Sequence, residues 1–122
     1  MKLVTYQVKQ GDPLIGAVVA ADKIVVDLVS ADRALARKEK RKPHDFFANM
    51  LSLLDAGTKG MAAARKAVRA AEAKLGATPK ADGKATHELR RVKLRAPNPN
   101  PRKLLCLAGN YQDHLEEGGH KM

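Results

Sequence analysis

The stretch IGAVVAADKIVVDL, residues 15–28, decides the fold. Two apolar runs within it are separated by Ala21-Asp22, which is the length of a hairpin connection between two strands. Another apolar run precedes them, beyond the turn sequence Gly11-Asp12-Pro13. Short strands that pair with one another are the simplest structure for this pattern, and we predict them at residues 3–8, 15–20 and 23–28.

A sheet of this kind needs a second layer, and helices are predicted to supply it. Positions 24, 26 and 28 form one apolar side of the third strand, so we expect a sheet with one buried face. Ser30 can cap the helix that follows, Pro43 stops it, and Gly57 is placed to end the next helix. The predicted helices span residues 31–40, 45–55 and 58–75.

The chain changes character after the third helix. Residues 76–86 predict a loop, and residues 89–94 predict one more strand. Prolines then alternate with asparagines over residues 97–101, which removes backbone donors and stiffens the chain as in a linker. Beyond it, residues 103–107 predict a short buried strand and residues 111–117 a helical turn. The predicted organisation is therefore a domain at residues 1–95, a linker at residues 96–102 and the start of a second domain at residues 103–122.

The formal net charge of +10 is distributed unevenly. It is −1 over residues 1–32, +13 over residues 33–103 and −2 over residues 104–122. A positive field can attract nucleic acid, an acidic membrane surface or an anionic metabolite. Aromatic residues make up only 3% of the chain, and no zinc-finger, recognition-helix or glycine-rich phosphate motif is present, so we do not expect nucleic acid as a partner. The basic middle is interpreted as a solvated face that can steer anionic substrates.

The cellular compartment is predicted from what the sequence holds. Nowhere do 18 or more apolar residues run together, and the N-terminus has no apolar stretch of signal-peptide length, so we expect no membrane contact. The single cysteine, Cys106, cannot form an internal disulfide and lies in an apolar run, where a reduced and buried thiol is expected. These features predict a cytoplasmic protein.

The end of the chain carries the residues with the most chemistry. His114 and Glu117 are three positions apart, so on a helical turn they share one face, where a carboxylate can orient an imidazole and raise its basicity. Such a pair can activate water. The same spacing is also typical of a charged pair on a surface helix, and the spacing alone favours that interpretation.

The longer sequence around this pair adds a resemblance. The run LLCLAGNYQDHLEE, residues 104–117, resembles the segment that opens the catalytic domain of the fumarylacetoacetate hydrolase family, an apolar strand followed by Asn-Tyr-x-Asp-His-x-x-Glu. Residues 110–117 match that motif. The upstream order is similar too, with GAVVAADKIVVDL, then LSLLDAG, an Ala-rich helix, a basic strand and a proline-rich segment.

The resemblance implies a chemistry and a set of roles. His114 and Glu117 would activate water for cleavage of a carbon–carbon bond in a 1,3-diketo acid, with Asn110 and Tyr111 shaping the substrate pocket. A divalent metal, usually Mg²⁺, would stabilise the enolate that leaves, with Asp113 as a ligand in some members and the other carboxylate ligands farther along a family chain. The resemblance also implies a homodimer, and leaves hydratase, decarboxylase or isomerase chemistry open.

Two expectations about the whole chain follow from the resemblance. The fold class is α+β, with a small N-terminal sheet or roll and packed helices, a linker, and the first strand and helical turn of a truncated, mainly-β catalytic domain. Residues 1–95 then form the accessory domain and residues 103–122 begin the catalytic domain, so the chain alone is expected to be inactive and to hold no metal tightly.

Other functions remain open at the sequence level. The chain could be a structural or dimerisation fragment without chemistry of its own, which is the preferred interpretation of residues 1–95. No nucleophile there is predicted to pair with a base, and Ser30, Ser52, His44 and His87 are interpreted as caps or surface residues. A basic nucleic-acid-binding module is the less favoured alternative, and salt-dependent binding to unrelated DNA would reveal it.

Overall fold

The computed structural model describes residues 1–107 and residue 119. Within this part, five strands and three α-helices follow one another along the chain, with one 3₁₀ turn before α2 and another between β4 and β5. Their bounds are β1 Lys2–Gln7, β2 Leu14–Val19, β3 Ile24–Asp27, α1 Leu28–Glu39, α2 Met50–Asp55, α3 Gly57–Leu75, β4 Thr86–Glu88 and β5 Lys93–Leu94, with the 3₁₀ turns at Asp45–Ala48 and Leu89–Arg91.

The strands form one antiparallel sheet in the order β4-β3-β2-β1-β5, so the α+β prediction is confirmed. β1 and β2 pair from Lys2↔Val18 to Tyr6↔Leu14, and β2 pairs with β3 next to them. β4 and β5 are added at opposite edges, yet the chain passes between them through only residues 89–92. Because the five residue steps from Glu88 to Lys93 span about 18 Å at most, the two edges must lie close together and the sheet is curled.

The helices cover one face of the sheet and the main core lies between these two layers. α1 and α3 pack against each other, and α2 packs against α3. The paired residues Ala17 and Val26 are buried at 0% and 1% exposure and point into this core. Its other members are alternate residues of the strands and the inner residues of the helices: Ile15, Val19, Ile24, Leu28, Ala31, Phe47, Met50, Leu53, Ala64, Ala67 and Val68.

The opposite face of the central strands is also buried, so the expectation of one buried face is wrong for β3. All four residues of β3 are buried. The Tyr6 ring lies against this second face, since a Cβ added at Gly16 would lie 2.9 Å from Cε1 of Tyr6 and 2.6 Å from Cγ1 of Val25. Tyr6 belongs to the neighbouring strand β1, in which Val4 pairs with Gly16, and only glycine leaves room for the Tyr6 ring here.

The start of α1 differs from the prediction by three residues. The helix begins at Leu28, and its N-cap is Asp27, whose carboxylate Oδ1 accepts a hydrogen bond of 2.7 Å from the backbone N–H of Ser30. Ser30 therefore receives the cap rather than providing it. Asp27 is the last residue of β3, so strand and helix meet without a loop.

The second predicted helix, residues 45–55, is broken in the structure. A 3₁₀ turn occupies Asp45–Ala48, and Asn49 then adopts an extended backbone with φ −158° and caps α2 by accepting a hydrogen bond of 2.9 Å from Ser52 N–H. The predicted end of this helix is confirmed, because α2 ends at Asp55 and Gly57 follows the C-cap Ala56 with φ +59°, a value that favours glycine. α3 begins at the same glycine.

The single strand predicted at residues 89–94 is wrong. The structure has two short strands here, β4 and β5, on the two edges of the sheet. Leu89 N–H donates to the carbonyl of Lys23, and Arg95 N–H donates to the carbonyl of Thr5. The bend at Leu89–Arg91 is what carries the chain across the opening of the curled sheet.

Residues 95–107 leave the sheet on the side of β1 and β5. Thr5 Oγ1 donates to the carbonyl oxygen of Pro97 at 2.6 Å, and Arg102 forms an ion pair of 2.7 Å with Asp55 at the end of α2. Residues 103–107 form no strand and are exposed, so the predicted buried strand and the predicted buried thiol of Cys106 are both wrong for this structure. The physical reason is that no strand among residues 1–107 pairs with this segment.

Candidate functional site

The residues predicted to carry the chemistry lie outside the described part of the chain. This holds for the predicted dyad, His114 and Glu117, for the pocket residues Asn110 and Tyr111, and for the metal ligand Asp113. Their roles stay predictions.

The segment directly before them is described, and its side chains are exposed. Leu104, Leu105 and Leu107 are 83%, 91% and 79% exposed. Neighbouring apolar side chains that are exposed to water are typical of interaction surfaces. Burying one leucine side chain is favourable by about 1.5–3 kcal/mol, so a partner that covers them gains stability. The ion pair of Arg102 with Asp55 holds the chain just before them against the folded domain.

A cluster of charged and polar side chains that the sequence did not predict lies where α1 meets the segment after it. Asp32 is on the inner side of α1 and is 1% exposed. Its Oδ1 accepts a hydrogen bond from Arg41 Nη2 at 2.8 Å and lies 3.0 Å from His44 Nδ1, and its Oδ2 accepts a hydrogen bond from His44 N–H at 2.6 Å. We call these three residues the Asp32 cluster.

Local structure places the two partners of Asp32. α1 ends with Lys40 in the left-handed conformation, φ 53°, which turns the chain back so that Arg41 faces the helix it has just left. His44 follows Pro43 and stands at the N-cap of the 3₁₀ turn, where its ring stacks on Phe46 with centroids 4.7 Å apart. Two different backbone turns therefore bring the guanidinium and the imidazole to one carboxylate.

The charge state of the cluster follows from these contacts. Burial by itself would raise the pKa of Asp32, but the hydrogen bonds from Arg41 and from the backbone and ring of His44 outweigh it and hold that pKa below its usual value. The same contacts raise the pKa of the Arg41 guanidinium. Asp32 is therefore ionised at neutral pH. The Nδ1 of His44 lies between this carboxylate, at 3.0 Å from Oδ1, and Nη1 of Arg41, at 3.3 Å.

An aspartate that orients a histidine is also the arrangement of a general base, so the surroundings of His44 decide its role. The surface pocket beside it has a volume of about 510 Å³ and is lined by Val29, Asp32, Arg33, Lys42, Pro43, His44, Asp45 and Ala48. No hydroxyl or thiol that His44 could activate is among these side chains. The hydrogen bonds to Asp32 tie Arg41 and His44, and with them the start of the segment 41–48, to α1.

A scan of the sequence against protein-family models found no match, and a search of curated proteins found no significant match. The fold is thus established by the structure, and the family is a matter for proposal.

A second buried polar pair lies on the other side of the sheet. Tyr6 is fully buried, and its hydroxyl donates to Oδ2 of Asp27 at 2.7 Å. Burial and the neighbouring carboxylate raise the pKa of Tyr6 far above its usual value, so the phenol stays protonated at any physiological pH. Because Asp27 also caps α1, this pair couples β1, β3 and the start of the helix.

The described residues do not offer a metal site. Among residues 1–107 and 119, no three His, Cys, Asp or Glu side chains lie close enough together to hold a metal ion. Asp113, the metal ligand that the resemblance implies, lies outside these residues. In the same part, no helix is long and apolar enough to cross a membrane.

The sequence held one signal for the Asp32 cluster. Asp32 lies at helical spacing from Leu28 and Leu35, which are both buried, so it falls on the apolar stripe of α1. A carboxylate at such a position needs partners, because a buried charge without them is strongly unfavourable. The sequence does not tell which residues they are, since Arg41 and His44 reach Asp32 only through turns at Lys40 and Pro43.

Proposed function

We propose that this chain is the N-terminal portion of a fumarylacetoacetate hydrolase family enzyme, which cleaves a carbon–carbon bond in a 1,3-diketo acid of the acylpyruvate type. The observation that carries the proposal is the motif at residues 110–117, Asn-Tyr-x-Asp-His-x-x-Glu, directly after the apolar residues 104–107. The exposed leucines of that apolar segment support it, because a segment with such side chains is suited to pack into a further domain.

The proposed chemistry assigns one step to each residue of the dyad. Glu117 accepts a hydrogen bond from one ring nitrogen of His114, so the other ring nitrogen becomes a stronger base and takes a proton from water. The hydroxide adds to a carbonyl carbon, the adjacent carbon–carbon bond breaks, and its electron pair leaves as an enolate that is then protonated. Asn110 and Tyr111 shape the pocket wall. A bound Mg²⁺ supplies stabilisation of the negative charge in the family's chemistry, and Asp113 is the residue of this chain proposed to contact it.

Residues 2–94 are proposed to act as a platform for this segment and to take no part in the chemistry. One finding supports this assignment: Asp32, the buried carboxylate of the Asp32 cluster, is used in hydrogen bonds that join α1 to the segment after it. As further parts of the proposal, the complete enzyme is a cytoplasmic homodimer that acts on a small dicarbonyl acid.

The test is a chimera in which residues 1–122 are joined to the remaining catalytic region of a fumarylacetoacetate hydrolase family enzyme. Magnesium-dependent hydrolysis of acetylpyruvate is measured for the chimera, for its His114→Gln variant and for the matched variant His120→Gln. We expect His114→Gln to lower kcat by about 100-fold or more, because it removes the general base, and His120→Gln to leave kcat unchanged. An active chimera that tolerates His114→Gln contradicts the proposed site. The 122-residue chain by itself is expected to be inactive.

A second candidate function is a structural or dimerisation role without chemistry, and the three exposed leucines at positions 104, 105 and 107 favour it. In this case the leucines bury against a second copy rather than against a catalytic domain. Light scattering on the chain and on a Leu104→Ser, Leu105→Ser variant distinguishes the two. A dimer that becomes a monomer in the variant, together with an inactive chimera, supports the structural role.

A further inference from the structure

A groove lies between α1, the last turns of α3 and the loop at residues 76–85, and the proposed function does not use it. Its volume is about 560 Å³, which is within the range of small-molecule sites. The floor is apolar, because Val26 of β3 lies at the bottom and the walls carry alanines and leucines of both helices. The most informative of these are Ala34, Leu35, Ala71 and Leu75.

Three lysines stand at the groove: Lys38 near the end of α1, Lys74 near the end of α3, and Lys80 in the loop. All three are exposed. Among residues 1–107 and 119, none of the three forms an ion pair with a carboxylate. The groove therefore combines an apolar floor with three cations that form no ion pair in this part of the chain, against the single carboxylate of Asp82 in its lining.

Two carboxylates close to these lysines in the fold make their hydrogen bonds to other groups. Asp82 lines the groove, but its Oδ1 accepts hydrogen bonds from the backbone N–H groups of Lys84, Ala85 and Thr86 at 2.8–2.9 Å. The hydrogen bond from Thr86 N–H contributes most to holding the pKa of Asp82 below its usual value. Glu39, one residue beyond Lys38, pairs with Arg41 and Lys66 instead.

Hydrogen bonds to Thr86 fix the loop that forms one wall of the groove. Gly83 N–H donates to the carbonyl of Thr86 at 2.8 Å, and Asp82 N–H donates to the hydroxyl of Thr86 at 2.9 Å. Thr86 is itself the first residue of β4 and is buried. The loop is thus tied to the sheet next to the groove floor, so the groove has a defined shape on three sides.

We propose that this groove is a binding site for a small carboxylate with an aliphatic tail. The tail displaces water from the apolar floor, and the carboxylate is held by Lys38 and Lys74 at the rim, with Lys80 above it. A neutral ligand would gain nothing from the three ammonium groups, which outnumber the single carboxylate of the lining, and a small polar anion would leave the apolar floor in contact with water. Only a ligand with both parts is complementary to the whole groove.

Lys38 and Lys74 have an alternative explanation, since both lie in the last turn of a helix, where a cation offsets the partial negative charge of the helix end. That role needs neither an apolar floor nor a third lysine in the loop. It predicts a change in stability when a lysine is replaced, but no change in ligand binding. The two explanations therefore differ in a measurement of binding.

The test uses the full chain labelled with ¹⁵N and titrated with octanoate, with octanol as the neutral probe of similar size. We expect octanoate to bind with a Kd of about 1 mM or tighter, with shifts at the amides of Ala34, Ala85 and Thr86. Octanol is expected to bind about 10-fold more weakly. A Lys38→Gln, Lys74→Gln variant should weaken octanoate binding by about 10-fold, because two exposed charge contacts are lost.

The matched control is an Arg37→Gln, Arg69→Gln variant, which removes one exposed cation from each helix outside the groove. It should bind octanoate as the parent chain does. The proposal is overturned if octanoate causes no shifts at about 10 mM, if the shifts map elsewhere, if octanol binds as tightly, or if the arginine variant loses as much affinity as the lysine variant. None of these outcomes depends on the activity of the proposed dyad.

Discussion

Replacing Asp32 by asparagine tests how much the Asp32 cluster contributes to the stability of the fold. Asparagine keeps the shape of the side chain but offers only one oxygen, whereas Asp32 uses both. If the amide oxygen takes the place of Oδ1, the backbone N–H of His44 faces an NH₂ group. If it takes the place of Oδ2, the guanidinium of Arg41 faces the NH₂ group. At least one partly buried donor loses its partner in either orientation.

The magnitude follows from burial. Breaking a fully buried ion pair destabilises by about 3–5 kcal/mol. The side chains of Arg41 and His44 are each 27% exposed and can turn partly to water, so we expect a loss of about 2 kcal/mol in the free energy of unfolding. For a domain of this size that corresponds to a fall of about 8–15 °C in Tm.

The assay is thermal and urea unfolding of the parent chain, Asp32→Asn and Asp45→Asn. Asp45 is the matched control because it lines the same pocket, is exposed and forms no ion pair with the residues described. Its replacement should change stability by less than about 0.5 kcal/mol. The reasoning is refuted if Asp32→Asn is as stable as Asp45→Asn.

The same variant predicts a pH dependence. The pKa of Asp32 is lowered in the folded state, so its stabilising contribution is present above the unfolded-state pKa and is lost as the pH falls through the folded-state pKa. The parent chain should therefore lose stability between about pH 5 and pH 3 more steeply than Asp32→Asn. Equal slopes for the two proteins over this range would contradict the assigned charge state.

Two further predictions concern other parts of the fold. Tyr6→Phe should destabilise by about 1–3 kcal/mol in urea unfolding, because the buried Oδ2 of Asp27 loses the hydroxyl that donates to it; a loss below about 0.5 kcal/mol would mean that the carboxylate is hydrated. Lys40→Gly should raise stability by about 0.5–1 kcal/mol, since Lys40 ends α1 with φ 53°, whereas Arg37→Gly inside the helix should lower it by about as much. The opposite order of the two glycine variants would contradict the cap assignment.

Much of the fold could be predicted from the sequence because its signals are local. The strands at residues 15–20 and 23–28 and the helix at residues 58–75 are found within two residues of their predicted bounds. Each is specified by its own apolar periodicity, which a sequence shows directly. The layer arrangement then follows, since the apolar sides of helices and sheet have to cover each other.

The errors lie where a distant partner decides the local structure. The strand expected at residues 89–94 is split, because β4 pairs with β3 and β5 pairs with β1 on the two edges of a curled sheet. The buried strand expected at residues 103–107 has no partner among residues 1–107 and stays exposed. In both cases the segment is apolar as expected, but an apolar pattern does not show which strand, if any, the segment pairs with.

The candidate site divides in the same way. The motif at residues 110–117 is a local pattern, so it was found in the sequence, although it lies outside the described residues. The Asp32 cluster joins positions 32, 41 and 44 through two turns, and no spacing rule indicated it. The lysine groove likewise depends on how α1, α3 and the loop are arranged in space.

Water activation by the proposed dyad of Glu117 and His114 is tested by replacing each of two adjacent glutamates with glutamine. In the chimera described above, kcat for magnesium-dependent acetylpyruvate hydrolysis is measured for Glu117→Gln and for Glu116→Gln. We expect Glu117→Gln to lower kcat by about 100-fold or more and Glu116→Gln to leave kcat unchanged. Full activity of Glu117→Gln, or an equal loss in both variants, would contradict it.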